Sequence, residues 1–360
     1  MNLLVLILTS WLAQADQAHG AISPYAFGDV PARFHSLELS TGARALGDLC
    51  LSRESMPDGT VCNPAFLPYY PESSLMARVY VGNGYEAVST ADQFLNQKIT
   101  REFLTDFFQK NNATGLEVNA GLFFTTRYFS ATFSPYRVQY FSEGHNPNFP
   151  VMAVHAANER SISLAGGYPL TALNPKLKDF TVGGKLRILE RTFVHGSFSL
   201  FQAQADDAKN FLPVQDQNAV LLDTFAGWVA PKSRWPMRAS VSIKNIGAAW
   251  PASDLYPEYT DLELGYGVEP PVPLGKLSLG LDLVDLFRAE DFGSRFRFGT
   301  SYRIGVLELM TGINSYAWSA GLQFSFQVVK AGIVYELVQG DLKGGRSPED
   351  KVATEIALHI

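Results

Sequence analysis

The chain has 360 residues, a formal net charge of -6, and only 18% charged against 46% hydrophobic residues. A soluble domain carries nearer to about 25% charge. A helical membrane protein would show apolar runs of about 20 residues, and the sequence contains none. The acidic balance excludes the basic field that nucleic acid requires. Low charge without long apolar runs is the pattern of a transmembrane β-barrel, in which lipid-facing and lumen-facing residues alternate and average out.

Met1 to Leu12 is an apolar run of signal-peptide length, followed by the small-x-small pattern Ala13-Gln14-Ala15, with Ala18-His19-Gly20 as a second cleavage option. Residues 1–15 therefore read as a signal peptide, with a buried N-terminal strand or helix as the alternative. Cys50 and Cys62 are the two cysteines of the chain. Close together in an exported protein, they read as a disulfide worth roughly 3 kcal/mol in the chain-entropy model; two buried thiols are the alternative. His19, His35 and His145 are scattered and no Cys-x-x-Cys occurs, so no metal site is read. In Ala91 to Asn112, Phe94, Leu95, Ile99, Phe103, Leu104, Phe107 and Phe108 form a helical stripe. That predicts a short helix packed on a barrel mouth, with the lumen or the membrane surface as the other locations.

From about residue 116 onward, one strand follows another. Leu116, Val118, Ala120, Leu122 and Phe124 alternate with Glu117, Asn119, Gly121, Phe123 and Thr125. Leu277, Leu279, Leu281 and Leu283 alternate with Lys276, Ser278, Gly280 and Asp282, and Phe296, Phe298, Thr300 and Tyr302 with Arg295, Arg297, Gly299, Ser301 and Arg303. Period two places the two sets on opposite faces of a strand. Alternation alone leaves open which face meets lipid, since a sandwich in water alternates equally well. Counting segments from 75–82 to a closing strand at 351–360 gives about 14 strands, with 150–157 and 160–168, and likewise 181–190 and 193–203, taken separately. The segment 306–325 is read as two strands. So many hairpin-linked strands fit one closed barrel. Residues 205–218, 248–258 and 339–350 read as long loops, and short turns are expected at the other end. The chain ends on Val352, Thr354, Ile356, Leu358 and Ile360, alternating with Lys351, Ala353, Glu355, Ala357 and His359.

Two short motifs carry a family resemblance. Thr41-Gly42-Ala43-Arg44-Ala45-Leu46-Gly47 followed by Asn63-Pro64-Ala65 resembles the opening of the FadL-like barrel superfamily, which includes long-chain fatty-acid transporters, PorV/PorQ-type secretion-associated barrels and TraF-like barrels. Val241 to Gly247 and Leu281 to Leu286 resemble strands of the same group, and the terminal strand resembles the insertion signal of outer-membrane barrels. Two departures stand out: the chain ends in Ile360 rather than Phe or Trp, and Asp48 to Thr60 replaces an alanine- and glycine-rich stretch. The resemblance implies an all-β, antiparallel transmembrane barrel of about 14 strands in a Gram-negative outer membrane. Its residues 16–74 would form a hatch in the lumen and 75–360 the barrel, with 91–112 a helical insertion. Asn63, Pro64 and Ala65 would belong to the hatch; an ordinary surface turn is the alternative.

If the aromatics of 296–302 face lipid, Arg295, Arg297 and Arg303 line the lumen with Asp282 on the neighbouring strand, because charges at mid-membrane on the lipid side would cost roughly 2–4 kcal/mol each. Salt-bridging of the wall or attraction of an anionic solute would both use them. No nucleophile, base and oxyanion set is visible: His155 and His195 stand singly, and Asp282 and Asp285 point to opposite faces. The sequence is therefore read as a non-enzyme without cofactor or metal. Its partners would be the lipid bilayer and a hydrophobic or amphipathic small molecule passing a gated channel. Two alternatives are a non-transporting barrel that scaffolds a secretion or conjugation complex, and a soluble secreted β-protein.

Overall fold

A computed structural model describes residues 39–53, 62–69, 73–82, 113–145, 151–199, 214–230, 233–253, 256, 258–287, 295–315, 317–338 and 349–359. The signal segment 1–15 and the helical stretch 91–112 lie outside the described residues.

The chain closes into a barrel of 14 antiparallel strands. In order they are β1 (Ser74–Gly82), β2 (Ala113–Thr125), β3 (Phe129–His145), β4 (Val151–Pro169), β5 (Phe180–Ser199), β6 (Val214–Ala230) and β7 (Met237–Trp250). β8 (Asp261–Val268), β9 (Lys276–Leu283), β10 (Phe296–Ile304), β11 (Leu307–Ile313), β12 (Ala317–Ser325), β13 (Val329–Val338) and β14 (Glu349–His359) complete the circuit. Every strand pairs with its sequence neighbour, and β1 closes on β14 from Met76↔His359 to Gly82↔Ala353. Closure leaves no unpaired edge, which a strand structure in hydrocarbon requires because nothing there can satisfy a free backbone group.

The distribution of side chains settles which face meets lipid. Outward positions are apolar and exposed: Val79 and Val81 on β1, Ile162 and Leu164 on β4, Phe298 on β10, Leu322 and Phe324 on β12, Ile356 and Leu358 on β14. Inward positions on the same strands are buried and polar or charged, among them Arg78, Glu159, Ser163, Ser301, Gln323 and Glu355. Tyr128, Phe129, Tyr168, Trp235 and Phe326 are exposed at one rim, as in an aromatic girdle. A barrel that is apolar outside and polar inside is a transmembrane barrel of the outer-membrane type. A soluble β-protein, the third sequence alternative, would have the opposite distribution.

Two of the expected strand boundaries are corrected. Segments 150–157 and 160–168 are one strand, β4, and 181–190 with 193–203 are one strand, β5, ending at Ser199. Asn158-Glu159-Arg160 looks like turn chemistry, yet the alternation runs through it. Glu159 points inward onto Arg137 and Arg191, while Arg160 points outward opposite Glu190. The expected pair of strands within 306–325 is β11 and β12.

One rim carries short turns, including 126–128 between β2 and β3, Gly305-Val306, and 326–328 between β12 and β13. Thr126 closes the first of these by exchanging hydrogen bonds with Phe129. The other rim carries the connections 83–112, 200–213 and 339–348. Short turns mark the periplasmic rim and long loops the external one in this architecture.

Candidate functional site

The lumen is filled, first, by the chain's own N-terminal segment. Thr41–Ala45 is a single helical turn, α1, capped by Ser40, whose Oγ accepts from Ala43 N–H at 3.1 Å. Gly47 (φ 70°) and Asp48 (φ 63°) end it in a left-handed turn, with Gly47 N–H donating to Arg44 O and Asp48 N–H to Ala43 O. Gly47 suits this conformation at no steric cost. The chain then follows the inner wall to Arg53 and resumes at Cys62, tied to Cys50 by a disulfide with Cα atoms 5.4 Å apart. A 3-10 turn, Pro64–Tyr69, completes the described part of the segment. Asn63 starts it: its Oδ1 accepts from Ala65 N–H, and its Nδ2 donates back to Leu51 O at 3.1 Å.

The wall accommodates this segment through a belt of glycines on successive strands. A Cβ on Gly312 of β11 would lie 2.1 Å from the Leu46 carbonyl carbon, and one on Gly167 of β4 would lie 2.1 Å from Pro64 O. Gly299, Gly280, Gly265 and Gly183 face Leu46, Leu49, Leu51 and Ala65 in the same way. Backbone packs on backbone here, which only glycine allows.

Charged side chains then fix the segment. Arg44, 4% exposed, donates to Glu336 of β13 through Nε and Nη2 and to Glu117 of β2 at 2.9 Å, and touches the Tyr80 hydroxyl. Lys351 of β14 reaches the other oxygen of Glu117 at 3.2 Å. Thr41 N–H donates to Glu355 Oε2 at 2.9 Å. Asp282 of β9 accepts the consecutive N–H groups of Cys50, Leu51 and Ser52 at 2.8, 2.9 and 3.0 Å, a carboxylate seated in a backbone nest.

The other sequence-selected residues fall around this framework. Arg297 is the cross-strand neighbour of Asp282 and donates to Asp48 O at 3.4 Å. Arg303 pairs with Glu308 of β11 at 2.8 Å, near the periplasmic rim. Arg295, partly buried, precedes β10 on the same inward parity. Pro64 and Ala65 press on β4 and β5. With Arg53, Arg238 and Lys276, Arg303 and Glu308 line a cavity between the plug and β7–β11.

A second cluster fills the external half of the lumen. Arg191 of β5, fully buried, donates to Glu159 through Nε (2.9 Å) and Nη2 (2.7 Å) and to Gln217 at 2.8 Å. Arg137 of β3 holds the other Glu159 oxygen at 2.6 Å. From the loop after β7, Tyr256 lies over the Arg191 guanidinium, 4.3 Å from ring to charge, and its hydroxyl shares a 2.6 Å hydrogen bond with His155 Nε2. Burial pushes the Tyr256 hydroxyl well above its ordinary range, so it stays protonated. His155 and His195, single in the sequence, are cross-strand partners with rings 5.7 Å apart.

The partners of Arg44 and the Tyr256 loop are not picked out by sequence motifs. Their signal is weaker but present: Glu117, Lys351 and Glu355 occupy the polar set of otherwise alternating strands, and a charge on the lumen side of a barrel needs a partner.

No family model and no characterised protein sequence matches this chain. Solved structures do match its shape. TbuX, the toluene transporter of Ralstonia pickettii, is 9% identical and aligns over 90% of this chain and 98% of its own, with a TM-score of 0.51. The chain has the fold of that transporter. A mutant of TodX described as a monoaromatic hydrocarbon channel is 11% identical over 88% of this chain and 97% of its own, with a TM-score of 0.50. The Pseudomonas putida toluene transporter TodX is 11% identical over 90% of this chain, with a TM-score of 0.48. The fold expected from the sequence resemblance is thus the fold found, a 14-strand barrel with a short N-terminal segment inside it.

Proposed function

We propose that this protein is an outer-membrane channel for hydrophobic or amphipathic solutes, gated by its N-terminal segment. One observation carries the reading. Within an otherwise polar lumen, an apolar cluster runs from Leu46 and Leu49 of the plug, along Met310, Val334 and Phe193 of the wall, to Tyr256 at the external side. A water-filled pore would have no use for such a track, whereas an apolar solute moving between plug and wall would exchange one apolar surface for another. The plug is held to the wall by side-chain contacts, so it can shift without unzipping the barrel ladder. TbuX and TodX, which share the fold, are described as toluene transporters; fold likeness alone does not transfer that activity. No described residues suggest turnover of the solute, and the reading is a channel rather than an enzyme.

Gram-negative cells producing the protein should take up radiolabelled toluene or a long-chain carboxylic acid several-fold faster than cells with an empty vector. A variant lacking residues 39–69, recovered in the outer-membrane fraction, should admit larger polar solutes as well. If neither form accelerates uptake of either solute, the channel reading fails. Co-purification of a stable protein partner with such inactive barrels would identify a scaffold instead.

A further inference from the structure

The external half of the lumen is closed by a loop that is not part of the N-terminal plug. β7 and β8 are joined by a connection whose described residues are 251–253, Tyr256 and 258–260. Loops at this rim have water available above them, yet Tyr256 is 0% exposed. It lies against β4 and β5: its ring meets Phe193 edge-on at 5.0 Å, covers Arg191, and its hydroxyl meets His155. Glu258 follows it inward and pairs with Arg191 at 3.2 Å. From β6, Gln217 Nε2 donates to the carbonyls of Tyr256 at 3.1 Å and Pro251 at 3.5 Å. The loop is rooted by Thr260, whose Oγ1 donates to Asn245 O at 3.2 Å.

We propose that this loop is a second, external lid of the channel, latched onto Arg191 by Tyr256 and Glu258. The inference rests on the channel reading above. Three features of the cluster fit a part that opens. The loop is bound to the wall by side-chain contacts and not by a strand ladder. Glu159, Arg137 and Gln217 hold Arg191 whether or not the loop is down, so lifting the lid leaves no wall charge stranded. Tyr256 also caps the external end of the apolar track, so lifting it uncovers Phe193 to an arriving apolar solute. With the loop up, Arg137 and Arg191 face Glu159 alone; salt screens that excess positive charge and should favour the open form.

Two measurements test the lid separately from transport. In the double variant F193C/Y256C, oxidation should lock the loop to β5 and lower solute uptake at least ten-fold, and reductant should restore it. Wild-type protein given the same reductant controls for Cys50–Cys62. In Glu258→Gln, amide hydrogen exchange in 251–260 should accelerate several-fold while that of residues 41–53 stays unchanged. A locked variant that transports like its reduced form, beside an active wild type, overturns the lid. So does unchanged exchange in Glu258→Gln. If exchange accelerates but no form of the protein transports, the lid stands and the channel reading is what fails.

Discussion

The barrel has two unequal walls. β3, β4, β5 and β6 have 17, 19, 20 and 17 residues, whereas β8 to β12 have 8, 8, 9, 7 and 9. A tilted strand needs about 9–11 residues to span the hydrocarbon, so the short wall ends near the bilayer surface and the tall wall rises beyond it. Outward side chains follow the same division. On β4 and β5, Ile162, Leu164, Leu186 and Ile188 face lipid, and above them Asn158, Arg160, Glu190 and Thr192 face out. The inner face of this raised part carries Arg191, Phe193, His155 and His195. The short wall instead presents glycines to the plug. Height therefore separates two tasks: the short wall seats the plug, and the tall wall receives the loop that comes down from the step between β7 and β8.

The largest effect that would break this division is at the plug. Arg44→Met leaves Glu336 and Glu117 buried beside an apolar side chain. Removing one partner of a buried ion pair costs about 3–5 kcal/mol. Urea unfolding of the detergent-solubilised barrel, followed by tryptophan fluorescence, should show that loss. Hydrogen exchange should rise in 41–53 and not in 251–260. Equal protection changes in both segments would mean that plug and loop form one unit and that the two walls do not act separately.

A smaller effect sharpens the role of the glycine belt. Gly312→Ala drives a methyl group to within 2.1 Å of the Leu46 carbonyl carbon, so the plug backbone must move. Overpacking of this kind costs about 1–3 kcal/mol. Gly184→Ala on the tall wall is its control, because the added Cβ faces outward and finds Asp223 O at 3.8 Å, an ordinary contact. There, relief of glycine's chain entropy should leave stability unchanged or raise it by about 0.5–1 kcal/mol. Heat-modifiable gel migration after refolding should show slower closure for Gly312→Ala alone.

How much of this was legible in the sequence depends on the kind of interaction. Alternation such as Leu277 to Leu283 against Lys276 to Asp282 is a local property, so the strands and the barrel could be read directly. The break imagined at Asn158-Glu159-Arg160 came from reading polarity as turn chemistry. Glu159 is polar because it faces Arg137 and Arg191, and Arg160 because the strand has left the membrane; neither reason is local. The same limit hid the site. Arg44 stands in a visible motif, but its partners Glu336 and Glu117 lie 292 and 73 residues away. Gly312, Gly299 and Gly280 read as ordinary strand glycines until the plug is laid across them. Asp282 and Arg297 were picked out from their inward parity, which identifies the face a side chain points to. It does not reveal that Asp282 takes up three backbone N–H groups of the disulfide loop.

The smallest effect is the most direct probe of where the bilayer ends on the tall wall. Thr192 Oγ1 donates to Asp216 at 2.7 Å between β5 and β6, on the outer face above the apolar belt. If that point stands in water, both groups can be rehydrated when the bond is removed, and Thr192→Ala should cost no more than about 0.5–1 kcal/mol. If it lay in hydrocarbon, Asp216 would lose a needed partner and the penalty would rise to about 1–3 kcal/mol or more. The bilayer itself makes the distinction sharper. Refolded into a thin-chain and then a thick-chain phosphatidylcholine, Thr192→Ala should show the same small loss in both, because the site stays above either surface. A loss that grows with chain length would place the lipid boundary higher on β5, and the tall wall would then be a membrane-spanning surface without the raised rim that the loop needs as its seat.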